Sequence, residues 1–297
     1  MQPTVTVGVD GSPESLAAAR WAAREAQRRA APLRLLLAWP WLFNAPPTVR
    51  DSDTGGAQEM LGGVEAGLRA DFPGLEISAD RVSDHPAGVL VAAAEESALL
   101  ALGSRGLGAL SGFLVGSVGL QVLTRAACPV VFVRAGEDAG ADAGADAGAA
   151  ERSGGGAGVV VGVELDRPCE EVLEFAFATA ARWSVPLRAV HTWNLPTTYG
   201  YAAVPLSVDL TSSLATEAEQ RLTEVLLPWR EKYPRLAVAE QVVLGSAGTV
   251  LNEASERAAL LAVGRRNRPS PLGMHIGPVA HAVLHHARCP VAVVPHG

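Results

Sequence analysis

The sequence predicts a doubly wound α/β fold, built twice in one chain. Three observations carry the prediction. Short β-branched apolar runs alternate with longer helical patterns, as in a parallel sheet covered on both faces. The pattern then recurs: Val5-Thr6-Val7-Gly8-Val9-Asp10 matches Val159-Val160-Val161-Gly162-Val163-Glu164, and Cys128-Pro129-Val130 matches Cys289-Pro290-Val291. Between the copies, residues 135–158 read AGEDAGADAGADAGAAERSGGGAG, a small, acidic tract with too little apolar surface to offset the entropy of ordering.

In the first copy, strands are expected at 4–10, 33–39, 75–82, 98–103 and 129–133. The helical patterns fall at 13–30, 56–71, 86–97 and 116–126. The second copy places strands at 158–164, 187–193, 236–243, 259–264 and 290–294, with helices between. The tracts 13–30 and 209–232 are amphipathic, as core-covering helices should be. Further matches fix the alignment: Pro32-Leu33-Arg34 with Pro186-Leu187-Arg188, Trp39 with Trp193, and Leu99 to Gly103 with Leu260 to Gly264. Each unit is domain-sized, which makes this a duplication and not a short solenoid. The expected domains are 1–134 and 158–297, joined by a flexible linker at 135–157.

Composition narrows the function. At 297 residues and 48% apolar, the chain can fill two cores. A net charge of −7 argues against sequence-independent nucleic-acid binding, which needs a basic face. The three cysteines, Cys128, Cys169 and Cys289, show no CxxC spacing, so neither a disulfide framework nor a zinc site is expected. A reducing, cytoplasmic setting is the simple reading. No targeting segment is read ahead of the first apolar run, and no unbroken apolar stretch reaches the ~18 residues that a membrane span needs. No membrane or nucleic-acid partner is expected.

The chemistry is expected where strands end. Gly103 and Gly106, followed by Gly116-Ser117, lie where a strand gives way to a helix. Glycines let a backbone approach a phosphate, and a helix start offers it N–H groups. In a doubly wound sheet the first and fourth strands can be neighbours at the switch point, so Asp10 would share this crevice. Asp10 is placed to accept from a ribose hydroxyl or adenine amine, and Arg105 to add a charge-assisted contact. Plainer readings stand beside these. The loop could be a simple turn, Ser117 an ordinary first helical residue, and Asp10 a helix cap, a role equally open to Ser12. Trp39 and Trp41 either line a base pocket or serve core or interface packing.

The G-x2-G-x9-G-S pattern, the opening Val-Gly-Val-Asp-Gly-Ser and the closing Ala-Cys-Pro-Val-Val-Phe-Val resemble the universal stress protein family, in its tandem two-domain form. The resemblance covers nearly everything except the linker. It implies two Rossmann-like α/β domains, each a five-stranded parallel sheet of order 3-2-1-4-5 flanked by helices. It also implies ATP, with Mg2+ admitted beside the phosphates. The expected contacts are Val9, Asp10, Ala38, Gly103, Arg105, Gly106, Gly116, Ser117 and Val118. The nucleotide would act as a regulatory ligand with at most slow hydrolysis. Two other readings stay open: a slow ATPase or nucleotidyl transferase, and a nucleotide-free dimerisation module.

The second copy departs from this pattern. It has Glu164 for Asp10, Asn267 for Gly106 and Pro278 for Ser117. The fold is kept while the phosphate loop loses donors, so much weaker nucleotide binding is expected there. A counter-reading has Arg265, Arg266 and Arg268 rebuild the anion site. His281, His285 and His286 resemble metal ligands at helical spacing, without a completing set. The duplicated domains are expected to pair within the chain, and a homodimer is admitted.

Overall fold

Parallel strand pairing builds one sheet in each copy of the repeat. The computed structural model describes residues 4–39, 47–106, 113–114, 116–135, 157–194, 208–266 and 276–297. These fall into two compact units, the first ending at 135 and the second starting at 157 among the described residues. In unit 1, β1 (Thr4–Gly8) lies between β2 (Leu33–Ala38) and β4 (Ser97–Gly106). β3 (Ile77–Val82) pairs with the far side of β2, and β6 (Val130–Arg134) with the far side of β4. All four pairings are parallel.

One strand was not foreseen. β5 (Phe113–Leu114) runs antiparallel to the end of β4, with Arg105 opposite Leu114 and Gly106 opposite Phe113. The sequence reading stopped the fourth strand at Gly103; β4 continues to Gly106. The reason is backbone pairing. Ser104 still pairs with Arg134 of β6, and β5 then takes the next two residues, so no polar main-chain group need turn away.

Unit 2 repeats the path. β7 (Gly158–Gly162) lies between β8 (Leu187–Trp193) and β10 (Ala258–Arg266), with β9 (Val238–Leu244) beyond β8 and β11 (Val291–His296) beyond β10. Every one of these pairings is parallel too.

The crossovers are helical. Unit 1 has α1 (Pro13–Arg29), α2 (Pro47–Asp71), α3 (Pro86–Glu95) and α4 (Ser117–Arg125). Unit 2 has α5 (Glu170–Trp183), α6 (Val208–Lys232), α7 (Ala247–Ser255) and α8 (Pro278–His286). α2 starts nine residues before the expected 56, at Pro47, whose fixed φ suits a first helical position.

The core lies between helices and sheet. Val5, Val7, Leu33, Leu35, Leu99, Leu100 and Val131 are fully buried in unit 1, as are Val159, Val161, Leu187, Leu260 and Leu261 in unit 2. α1 turns a small face to the sheet: Ala18, Ala22, Ala23 and Ala26 are all fully buried. A Cβ on Gly8 would meet Leu102 and Leu90 of α3, while one on Gly103 would meet the start of α1. Side chains at 102 and 103 point to opposite faces of a strand, so α1 and α3 cover opposite sides of the sheet.

Candidate functional site

The chain leaves β1 through α1 to β2 on one side, and leaves β4 through α4 to β6 on the other. The carboxyl ends of β1 and β4 are therefore the switch point, where a doubly wound sheet opens a crevice. Register brings the predicted residues level. Gly8 is paired with Leu36, so Asp10 falls level with Ala38. Val7 is paired with Ala101, so Val9 falls level with Gly103.

At the end of β1, buried Val9 donates its N–H to Leu36 O at 3.0 Å. Gly11 turns the chain with φ of 80°, a left-handed backbone that glycine adopts without strain. Asp10 is exposed, and its Oδ1 accepts from the Ser12 N–H at 3.0 Å and from the Ser12 hydroxyl. Ser12 is the N-cap of α1, accepting from the Ser15 N–H at 3.2 Å. The cap that the sequence left open between two residues thus belongs to Ser12. Asp10 braces that serine and stays at the crevice rim.

Gly103 lies inside β4, paired with Val133, three residues before the strand ends. A Cβ there would lie 2.6 Å from both Glu14 C and Ser15 N, main-chain atoms that cannot step aside. Its missing side chain admits the start of α1. Arg105 and Gly106 form the last two positions of β4. Residues 107–112 and 115, the rest of the expected loop, lie outside the described residues.

Gly116 is different again. It is the N-cap of α4 with φ of −60° and ψ of 165°, a backbone that any residue adopts. Among the described residues, a Cβ at Gly116 would meet nothing within 4 Å, and no side chain caps the helix. Ser117 is exposed and Val118 half-buried in the first turn. Uncapped first-turn N–H groups carry the positive end of the helix dipole, so this open space suits an anion.

In unit 2 the equivalent strand ends carry an ion pair. Glu164, aligned with Asp10, takes Arg266, aligned with Arg105: the guanidinium Nη2 lies 2.6 Å from both carboxylate oxygens. The pair joins the ends of β7 and β10. Gly264, aligned with Gly103, faces the His296 ring, with Nε2 2.9 Å from where a Cβ would sit. Arg265 is buried, and burial lowers its pKa below the ordinary arginine value. The expectation of three arginines rebuilding an anion site therefore finds Arg266 engaged and Arg265 buried; Arg268, like Asn267, lies outside the described residues. Gly277 caps α8 as Gly116 caps α4, but Pro278 follows and supplies no N–H. The Glu164–Arg266 pair escaped the sequence reading, although the alignment already put both residues at equivalent strand ends.

The remaining candidates are quiet. The rings of His281 and His285 lie 4.3 Å apart, centre to centre, yet no group of three or more potential ligands is placed to hold a metal among the described residues. Cys128 is buried, and burial pushes its thiol up to about 11. Burial does the same to Cys169. No described helix is long and apolar enough to cross a membrane.

Comparison with known proteins agrees with this architecture. The model of the universal stress protein family matches twice, over residues 1–134 and 158–295. A universal stress protein of Mycobacterium tuberculosis is 33% identical over 301 residues, covering 98% of this chain and 97% of that protein. One of Mycolicibacterium smegmatis is 29% identical over 303 residues, covering 98% and 96%. The crystal structure of a universal stress protein from Archaeoglobus fulgidus superposes with a TM-score of 0.71 at 19% identity, covering 100% of both chains, which speaks for the shared fold. With both repeats matched and both sheets built alike, the chain belongs to the universal stress protein family, in its tandem form.

Proposed function

We propose that this chain is a nucleotide-dependent regulator of the stress response that seats ATP in unit 1. The start of α4 carries the reading: a helix N-terminus that no described side chain caps, with no described atom within 4 Å of a Cβ at Gly116, at the switch-point edge that also bears Asp10. The Ser117 and Val118 amides and the Ser117 hydroxyl would donate to phosphate oxygens, and Asp10 would accept from a ribose hydroxyl. Arg105 and Gly106, at the end of β4, would face the polyphosphate, with Mg2+ beside it.

Unit 2 is proposed to hold nucleotide weakly or not at all. Its carboxylate is tied to Arg266, and Pro278 removes a first-turn donor. Isothermal titration of the full chain tests both statements. The expected result is one tight ATP site per chain, abolished by Gly116→Glu, which sets a carboxylate where phosphate would lie. Two equivalent tight sites, or unchanged affinity in Gly116→Glu, would refute the proposal. ATP is proposed as an effector and not as a turned-over substrate. Sustained phosphate or pyrophosphate release over several turnovers per minute would make the protein an enzyme instead. A cytoplasmic setting and a homodimer belong to the same reading; light scattering on the purified chain decides the second.

A further inference from the structure

We propose that His281 and His285 of α8 form a two-imidazole clamp for a late divalent transition-metal ion, Zn2+, Ni2+ or Cu2+. The clamp stands apart from the ATP seat of unit 1 and needs no nucleotide.

Spacing comes first. His281-Ala282-Val283-Leu284-His285 puts two imidazoles one turn apart on one side of a helix. Paired histidines at this interval are a recurrent zinc-binding arrangement. Ala282 stands where hydrolytic zinc helices carry a glutamate, so the reading is binding and not hydrolysis. The two rings already meet, with 4.3 Å between their centres. One ion bonded to two imidazoles at about 2.0–2.1 Å holds their nitrogens roughly 3 Å apart, a gap that rings in contact can span. His286 belongs elsewhere: its ring lies 6.3 Å from that of His285, and adjacent helical residues do not share a face. The remaining coordination positions go to water.

The surroundings favour a cation. His281 is exposed and His285 half-buried, while Ala280, Val283 and Leu284 hold the other side of α8 in the core. The pair reaches the last turn, where the helix dipole is negative. Arg288, just past the helix, is paired with Glu256 at 3.5 Å. α7 runs alongside: a Cβ on Gly248 would meet Ala282, and Ser255 Oγ accepts from the Arg288 N–H at 2.9 Å. Asn252 lies between Gly248 and Ser255 on that stripe, level with His285 and His286. Its buried Oδ1 has no hydrogen-bond partner among the described residues. A metal-bound imidazole needs such an acceptor for its second ring N–H. The repeat supplies the control. Unit 1 builds the same helix, α4, with Leu120 and Thr124 at the aligned positions, so the fold asks for histidine at neither.

The test uses the untagged, nucleotide-free full chain with Cu2+ as probe, the divalent ion that nitrogen sites bind most tightly. Calorimetry should show one tight site per chain, and electron paramagnetic resonance of the bound ion should show two nitrogen ligands. His281→Ala and His285→Ala should each weaken that site by roughly tenfold or more, since loss of even an outer partner of a metal ligand costs that much. His286→Ala should bind like the wild type. The double variant His281→Leu with His285→Thr copies unit 1, so it should keep the wild-type circular dichroism and lose the site. Wild-type affinity in either single variant, an equal loss in His286→Ala, a tight site that survives the double variant, or a wild-type chain that binds no Cu2+ overturns the proposal. None of these outcomes touches the ATP reading.

Discussion

Gly103 and Gly116 belong to one spaced motif, but a methyl group added to each meets different surroundings. At Gly103 it would strike the backbone of α1 at 2.6 Å. Gly103→Ala should therefore cost about 1–3 kcal/mol in denaturant unfolding, the usual range for an overpacked site. At Gly116 it would meet none of the described residues within 4 Å, so Gly116→Asp should keep or slightly raise stability while weakening the proposed ATP binding. The two glycines are equally visible in the sequence. Their separate duties are not, because one of them depends on a helix crossing a distant strand. Cys128 gives a pH prediction. Burial raises its thiol from 9.0 to about 11, so the neutral form favours the folded state. That contribution is complete below pH 9 and is lost as pH climbs towards 11. The unfolding midpoint should fall more steeply across this window in the wild type than in Cys128→Ala.

Helix ends hold the next level of detail. α1 and α5 both stop at a non-glycine residue in the left-handed region, Ala30 with φ of 50° and Ser184 with φ of 56°, at the same place in the repeat. A side chain in that region costs roughly 1 kcal/mol, so Ala30→Gly should raise stability by up to about that amount in denaturant unfolding. Ser12→Ala should cost about 1 kcal/mol by uncapping α1. It would also leave the Asp10 carboxylate without its hydroxyl donor. Strands and helices were legible from period and composition because an apolar run between helical patterns has few other places to go. The extension of β4 and the pairing of β5 were not, since two residues of antiparallel ladder leave no period to read. The expected second helix began only at Gly56, with the weak helix former Gly55 just outside it; α2 runs through Gly55 back to Pro47.

Across the whole molecule, the duplication was plain from matched segments, and each unit carries its own parallel sheet and core. The expected linker lies almost wholly outside the described residues, and limited proteolysis tests it. Brief cleavage at Glu137, Glu151 or Arg152 should release two stable fragments, one per unit. Rapid loss of either fragment would argue that the tract belongs to a folded body. The difference between the two copies was half legible: Pro278 announced a lost donor and Asn267 a side chain in place of Gly106, but only coordinates could show Glu164 and Arg266 satisfying each other. Under the proposed single ATP seat, that internal clasp would set the shape of the dose response. A polypeptide with a single working seat has no second seat to cooperate with, so its occupancy rises hyperbolically, spread over roughly two decades of ligand concentration. Such a protein would follow the cell's adenylate level as a graded gauge, without the threshold that coupled twin seats can produce.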